Sequence, residues 1–463
     1  MRQLSLLDLG FFVAETAASP KHVAGLLLFK RPKGAPADFV AKLYREYLQP
    51  VEVKPPFNRV IHFSLTALPQ WTDAAKVDLS KHVFWHKLPA GANDRQALFD
   101  LVAKLHEPML DRTRPLWELH VIDGIAGGRF ALYQKMHHAV ADGVTMTRWT
   151  AQGLSESPDD RRLKPLWSIE HSAYKARREK RQNELLQSAW SQAIGAGQRA
   201  LGVARLGAML LLESARLTKN AIALPFVSTA RTPLTGQVTA GRQFASSIIA
   251  MSRVDAIRKR TRSTLNHVAL TCLDGALHRY LQELGVELKR PIIIQMPVNL
   301  RREGDKAAGN KIGIVQVELS PPTDDPYVRL RNIGFSLRNV RTMIDSVVPA
   351  AIETYTVITG LVAQLAELAK LSNALPPMGN TLVSNVPGPR QTLYLKGALL
   401  EEMHPVSTLP PSNLLNITLF SYAGQLFFCL IATDELHDLP LLAKYVEQAF
   451  GELEAAVSGE AVT

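Results

Sequence analysis

The chain has 463 residues, 46% of them hydrophobic, and a net charge of +11. That length exceeds one ordinary hydrophobic core and implies two domains, while the apolar content excludes a disordered or fibrous chain. Its two cysteines, Cys272 and Cys429, lie far apart in apolar runs. This excludes a disulfide framework and a CxxC metal pair, and makes a reducing, cytoplasmic compartment the expectation.

The opening stretch, MRQLSLLDLGFFVAET, carries Asp8 and Glu15 inside its apolar part and has no small-residue cleavage site, so it does not read as a signal peptide. HVAGLLLF predicts a strand, and DFVAKLYREYL has helical spacing. After PLW the pattern predicts a hairpin, with strand LWELHVI, turn DGIAGG and strand FALYQKMHHAV. From Pro158 to about Leu224 the sequence is rich in Ala, Arg and Gln with a helical period, which predicts a helical connector over 158–230. Its most apolar part, AIGAGQRALGVARLGAMLLL, is interrupted by Arg199 and Arg205. A spanning helix needs about 20 mostly apolar residues, so none is expected there.

Beyond about Gly241 a second mixed run begins. VDAIRKRTRSTLNHVALTCLDGALHRYLQEL reads as helices, PIIIQMPVNL and GIVQVELS as strands, and FSLRNVRTMIDS onward as helices. TLVSNVPGP, LLNITLFSYAG and QLFFCLIATD read as strands, followed by a terminal helix. The expected architecture is α+β, with an N-terminal subdomain over 1–157, the connector, and a C-terminal subdomain over 231–463. A ligand site is expected in the cleft between the halves. Basic residues concentrate in DDRRLKPLWSIEHSAYKARREKRQ and MSRVDAIRKRTRS. Solvated helix faces explain them as well as an anionic lipid surface or cofactor phosphates do. No nucleic-acid motif accompanies the charge, so nucleic acid is not an expected partner.

The sharpest local feature is KMHHAVADGVTM, Lys135 to Met146. If both histidines lie on one strand, alternation sends His137 and His138 to opposite faces. One metal ion held by both then becomes a poor fit, and no metal is expected. A pair of structural histidines is one alternative. The stronger reading is a general base, because neutral imidazole accepts a proton near pH 7. Neither a Gly-x-Ser-x-Gly elbow nor an activated cysteine is present to serve as nucleophile.

HHAVADG matches the HHxxxDG motif of the superfamily that includes chloramphenicol acetyltransferase and peptide-synthetase condensation domains. The whole chain more closely resembles the bacterial wax ester synthase/diacylglycerol acyltransferase family, through LSLLDLGFFVAET, PPFN, PLWELHVIDG, NHVALTCLDGALHRYL, MPVNLR, SNVPGP and NITLFSYAG in family order. It departs from the family at Asn266-His267, where Asn-Asp is usual, and at Ser5-Leu6, where Ser-Pro is usual. The resemblance implies two chloramphenicol-acetyltransferase-like subdomains with mixed sheets and an active-site tunnel at their interface. It also implies long-chain acyl-CoA as co-substrate, with no tightly bound cofactor, and a long-chain alcohol or diacylglycerol as acceptor.

On this resemblance His138 is the expected general base, acting on direct attack without an acyl-enzyme, and His137 supports it from the other face. Asp142 is expected to orient the loop, with Arg301 as its partner, and Asn266 to stabilise the oxyanion, position substrate or cap its helix. Peripheral association with the inner membrane or lipid inclusions is expected through the basic, apolar connector. Two alternatives remain: a non-catalytic lipid-surface protein on the same fold, and a condensation-type acyltransferase using another acceptor.

Overall fold

The computed structural model describes residues 2–4, 6–63, 69–89, 94–171, 226, 229–299, 312–346 and 349–459. The first half begins with β1 (Arg2–Gln3), α1 (Leu6–Ala14), β2 (His22–Lys30), α2 (Phe39–Tyr47), β3 (Arg59–His62) and β4 (Gln70–Asp73). It continues through β5 (Val83–Lys87), α3 (Asp94–His106), β6 (Trp117–Ile125), β7 (Arg129–His137) and α4 (Gly143–Gly153). The second half holds β8 (Arg242–Ala250), α5 (Met251–Thr261), α6 (Leu265–Glu283), β9 (Ile293–Asn299) and β10 (Ile312–Glu318). Next come α7 (Pro326–Ser346), α8 (Pro349–Leu368), β11 (Thr381–Pro387), β12 (Tyr394–Leu395) and β13 (Ala398–Val406). The last elements are β14 (Leu415–Tyr422), β15 (Gln425–Thr433) and α9 (Leu439–Ser458).

The fold is α+β, with two six-stranded mixed sheets and a small three-stranded one, β1-β4-β3. The first large sheet runs β12-β13-β2-β7-β6-β5, and the second runs β10-β9-β11-β14-β15-β8. The predicted hairpin is β6 and β7, with its turn at residues 126–128, and the register shift near the end of β6 shows why glycine is needed. Gly124 has φ of 87°, and a Cβ there would meet the Leu88 carbonyl oxygen at 2.9 Å.

One crossing binds the halves together. β13, late in the chain, hydrogen-bonds antiparallel to β2 and so belongs to the first sheet. The sequence division at 157 and 231 does not capture this exchange, because the linear pattern carries no information on which sheet a strand joins. β14 and β15 are then covered on both faces. Phe420, Tyr422, Phe427 and Cys429 enter the first core, while Ile417, Leu419, Phe428 and Leu430 enter the second. Each large apolar side chain so buried is worth roughly 1.5–3 kcal/mol relative to exposure. α3 crosses the same seam, with Phe99 edge-on to Phe244 of β8 at 5.0 Å.

Most of the expected connector, residues 172–225, lies outside the described residues. Its described beginning is not an α-helix. It forms a 3₁₀ turn at Leu166–Ser168 that packs back on the first core. Trp167 stacks on Trp117 at 4.8 Å, and Lys54 N–H donates to the Trp167 carbonyl at 2.7 Å. Among the described residues, no helix is long and apolar enough to cross a membrane.

Trp117 anchors this corner: it stacks on His82 at 4.3 Å and donates its indole N–H to the Phe57 carbonyl at 2.8 Å. Trp117→Ala should lower stability by about 3–5 kcal/mol in chemical denaturation, the usual cost of emptying a buried aromatic site. A loss below about 1 kcal/mol would contradict this anchoring role.

Candidate active site

The strand carrying the histidine pair ends three residues earlier than the predicted FALYQKMHHAV. β7 stops at His137, and residues 138–140 form a turn. The cause is local: His137 Nδ1 accepts the Ala139 N–H at 3.1 Å, and the His137 carbonyl accepts the Val140 N–H at 2.9 Å. A side chain that binds the backbone two residues ahead ends strand pairing much as an Asx turn does. His138 N–H is held by the Lys21 carbonyl at 2.8 Å.

Each imidazole has its own aromatic partner on α1. His137 is fully buried and stacks on Phe12 at 4.4 Å, with 13° between the planes. His138 is half-buried and stacks on Phe11 at 4.2 Å and 22°. With Nδ1 accepting, the geometry assigns the His137 proton to Nε2, which faces Glu15 Oε2 at 3.5 Å. That is longer than a well-formed hydrogen bond, so the contact is chiefly electrostatic.

Glu15 is the centre of this arrangement. Its side chain is 1% exposed, yet it takes the Lys21 N–H at 2.9 Å and the Arg112 guanidinium at 2.9 Å. Burial pushes the carboxyl up. The electrostatic contact with His137 first, then the hydrogen bonds from the Lys21 N–H and Arg112, outweigh it and hold the group at about 2. The loop from Thr16 to Lys21 is thereby a fixed hub. Ala18 offers its carbonyl to Arg242 at 2.8 Å, Pro20 to the Thr408 hydroxyl at 3.0 Å, and Lys21 to His138. Two of those three donors come from the second half of the chain, so the seam between halves closes against the histidine turn.

Asp142 starts α4: its Oδ1 accepts the Thr145 N–H at 2.8 Å as an N-cap. Arg301, the expected partner, lies outside the described residues. α4 packs on β11, which carries Ser384-Asn385-Val386-Pro387 of the SNVPGP segment. Asn385 donates its side-chain amide to Asn266 Oδ1 at 2.8 Å. The cap of α6 is Thr264, whose hydroxyl accepts the His267 N–H at 3.2 Å, so Asn266 is not the N-cap. With its oxygen engaged, Asn266 can use its NH₂ group only as a donor, and no acceptor for it occurs among the described residues.

Behind β7 lies a buried polar belt. Lys135 donates to the carbonyls of Leu105 at 2.9 Å and Pro108 at 2.5 Å, and burial pushes its ammonium down to about 8 against the pull of Glu118. His106 bridges the Tyr133 hydroxyl at 2.7 Å and the Ser407 carbonyl at 3.2 Å. The structure thus brings His137, His138 and Asp142 into one turn, and joins Asn266 to the strand beside it. Sequence reasoning missed Glu15, Phe11, Phe12 and Lys21. In the sequence Glu15 reads only as a charge interrupting an apolar run, though a lone carboxylate in such a run is itself a signal of a buried partner.

Two mixed sheets, with a histidine pair where β7 passes into its turn, define an acyltransferase fold of the HHxxxDG type. Residues 4–269 match the wax ester synthase/diacylglycerol acyltransferase catalytic domain, and residues 308–454 match the C-terminal domain of the same family. A Mycobacterium tuberculosis protein named as a diacylglycerol O-acyltransferase is 34% identical over 460 residues, covering 98% of this chain and 100% of its own. A Mycobacterium bovis protein of the same designation is 31% identical, covering 97% and 98% respectively. The solved wax ester synthase/diacylglycerol acyltransferase from Marinobacter aquaeolei superposes with a TM-score of 0.74 at 29% identity, covering 98% of this chain and 100% of that one. The first condensation domain of the CDA synthetase shares the fold, with a TM-score of 0.58 at 14% identity. The chain belongs to the wax ester synthase/diacylglycerol acyltransferase family and is an acyl-CoA-dependent acyltransferase.

The depressed Glu15 carboxyl has a direct consequence for stability. A group whose folded pKa of about 2 lies below its ordinary 4.5 stabilises the fold at neutral pH, and that stability is lost as pH falls from about 5 towards 2. The shift corresponds to about 3 kcal/mol. Glu15→Gln should therefore be less stable at pH 7 by a value of that order and lose less stability on acidification. Identical stability curves for the two proteins between pH 3 and pH 7 would contradict the buried-carboxylate account.

Proposed function

We propose that the protein transfers a long-chain fatty acyl group from acyl-CoA to a hydroxyl of diacylglycerol or of a fatty alcohol, with His138 as general base. The observation that carries this proposal is the placement of His138. Its side chain is half-buried, its ring stacks on Phe11, and its backbone N–H is held by the Lys21 carbonyl, beside the loop that Arg242 and Thr408 of the second half also bind. The names of the mycobacterial relatives favour diacylglycerol as the acceptor.

In this scheme His138 takes the hydroxyl proton as the acceptor oxygen attacks the thioester carbonyl. The tetrahedral intermediate collapses, its C–S bond breaks, and the imidazolium returns the proton to the departing CoA thiolate. The products are an ester and free CoA. His137, fixed between Phe12 and Glu15, supports the turn. Asp142 holds the start of α4, and the Asn266 NH₂ group stabilises the oxyanion or positions the carbonyl. Acyl-CoA enters as a co-substrate, with no resident cofactor, and both apolar chains reach the seam through a tunnel between the halves.

The acceptor is insoluble in water, and one surface suits its delivery. On α8, Ile358, Leu361 and Leu365 are 50%, 58% and 56% exposed and recur along one side of the helix. The same helix leans on α1 through Gln364, which donates to the Ala14 carbonyl at 3.3 Å. An exposed apolar stripe beside a basic protein's active site fits a peripheral lipid-surface contact.

Purified protein given palmitoyl-CoA with dioleoylglycerol, and separately with hexadecanol, should release free thiol. His138→Ala should cut kcat by about 10²–10⁴ while keeping its circular dichroism and melting temperature. A folded variant with more than half the parental turnover would remove the general-base assignment, and absence of thiol release from either acceptor would point to a binding protein. Leu361→Glu/Leu365→Glu, at exposed positions, should change stability by only about 0.5 kcal/mol. It should weaken co-sedimentation with diacylglycerol-containing phosphatidylglycerol vesicles by about tenfold. Undiminished sedimentation would place the lipid contact elsewhere.

A further inference from the structure

A second feature lies away from the histidine turn, where α5 gives way to α6 and both face α7. A cavity of about 340 Å³ there is lined by Arg262, Arg331 and Arg338, with no carboxylate among its lining residues. None of these three guanidiniums forms an ion pair among the described residues. Arg253, Arg258, Arg279 and Arg341, on the same group of helices, each sit on a carboxylate at 2.5–3.0 Å. Like charges gathered without counter-charges repel one another, so the cavity favours an anion. Tyr327, Arg331, Phe335 and Arg338 recur at three- and four-residue steps along α7 and share one face. The Tyr327 and Phe335 rings are 45% and 54% exposed, apolar surfaces of the kind on which a flat base can stack.

The frame around the cavity is rigid. A buried ion pair, Arg329 to Asp274 at 3.0 Å, clamps α7 to α6. His267 lines the cavity, and burial followed by the charge of Arg338 pushes its imidazole below the ordinary range, so it adds a donor and no negative charge. Arg262 is held at the end of α5 with φ of 55°, a left-handed conformation that glycine adopts at lower cost. The cavity is also connected to the reaction centre. Asn266, adjacent to His267, bonds Asn385 on β11, and β11 packs on α4, which follows directly from the histidine turn.

We propose that this cavity is the subsite for the phosphates and base of the acyl-CoA nucleotide, with Arg262, Arg331 and Arg338 on the phosphates and Tyr327 and Phe335 beside the adenine. The pantetheine arm then runs along α6 and β11 towards His138. This rests on acyl-CoA being the donor, and the test separates the two claims by measuring binding without turnover.

Coenzyme A, pyrophosphate and inorganic phosphate are titrated calorimetrically into the full chain. Wild type should bind coenzyme A more tightly than pyrophosphate, and pyrophosphate more tightly than phosphate. Arg331→Gln/Arg338→Gln should weaken coenzyme A by at least about tenfold, as expected for loss of charge-assisted hydrogen bonds. The ratio of kcat/KM for palmitoyl-CoA over S-palmitoyl-pantetheine, which lacks the nucleotide, should fall by a similar factor. Arg262→Gly removes a guanidinium where glycine suits the backbone, so weaker binding in that variant cannot be attributed to a damaged fold. Unchanged coenzyme A affinity in the folded variants overturns the proposal. So does loss of binding to phosphatidylglycerol vesicles with coenzyme A affinity intact, which would assign the cavity to a lipid headgroup. Wild type that binds coenzyme A through these arginines but turns over no thioester would retain the subsite and refute the transferase chemistry instead.

Discussion

The geometry of the site depends on one buried carboxylate. Glu15 is removed from water, a costly place for a charge, and is kept ionised by a guanidinium, a backbone N–H and an imidazole. Those bonds fix the end of α1, and therefore the positions of Phe11 and Phe12 against the two histidines. They also fix the Lys21 backbone, whose carbonyl holds His138. The proposed role for His138 needs a ring presented in one orientation, and stacking on Phe11 with a backbone N–H held by Lys21 restrains it in advance.

The second requirement is a seam that stays in register. β13 hydrogen-bonds to β2 in the first sheet, while His404 on β13, its Nε2–H turned to Glu402, accepts the hydroxyl of Ser246 on β8 of the second sheet at 3.0 Å and faces Phe427 edge-on at 5.1 Å. Beyond β13, Ser407 and Thr408 bind His106 and the Pro20 carbonyl. The two halves are thus joined by backbone pairing, by apolar packing of β14 and β15, and by polar contacts that end at the loop beside the histidine turn. The seam between the halves and the position of the histidine turn follow from the same set of contacts.

Much of this was legible in the sequence. Strand and helix periods located the elements, and HHAVADG with PLW, SNVPGP and the other motifs in order identified the family. The turn at Asp142 was readable because Asp-Gly before a helical pattern is a capping signal. What was not legible depended on contacts between distant segments. No local pattern says that residues 398–406 add to a sheet built from residues 22–137. Glu15 could be read as a charge but not as the partner of His137 and Arg112, which lie 122 and 97 positions away in the chain. The early end of β7 escaped because it comes from His137 bonding its own backbone, which hydrophobic alternation cannot register. The three-arginine cavity was visible only as a basic run, since Arg331 and Arg338 join Arg262 through the packing of α7 on α6.

The central claim is that a neutral imidazole at position 138 accepts the acceptor's proton in the rate-determining chemistry. The most direct measurement is the pH dependence of kcat/KM for palmitoyl-CoA and dioleoylglycerol between pH 5 and pH 9. The account predicts an acidic limb that steepens towards tenfold per pH unit as protonation removes the base. A rate that stays flat to pH 5 would contradict it.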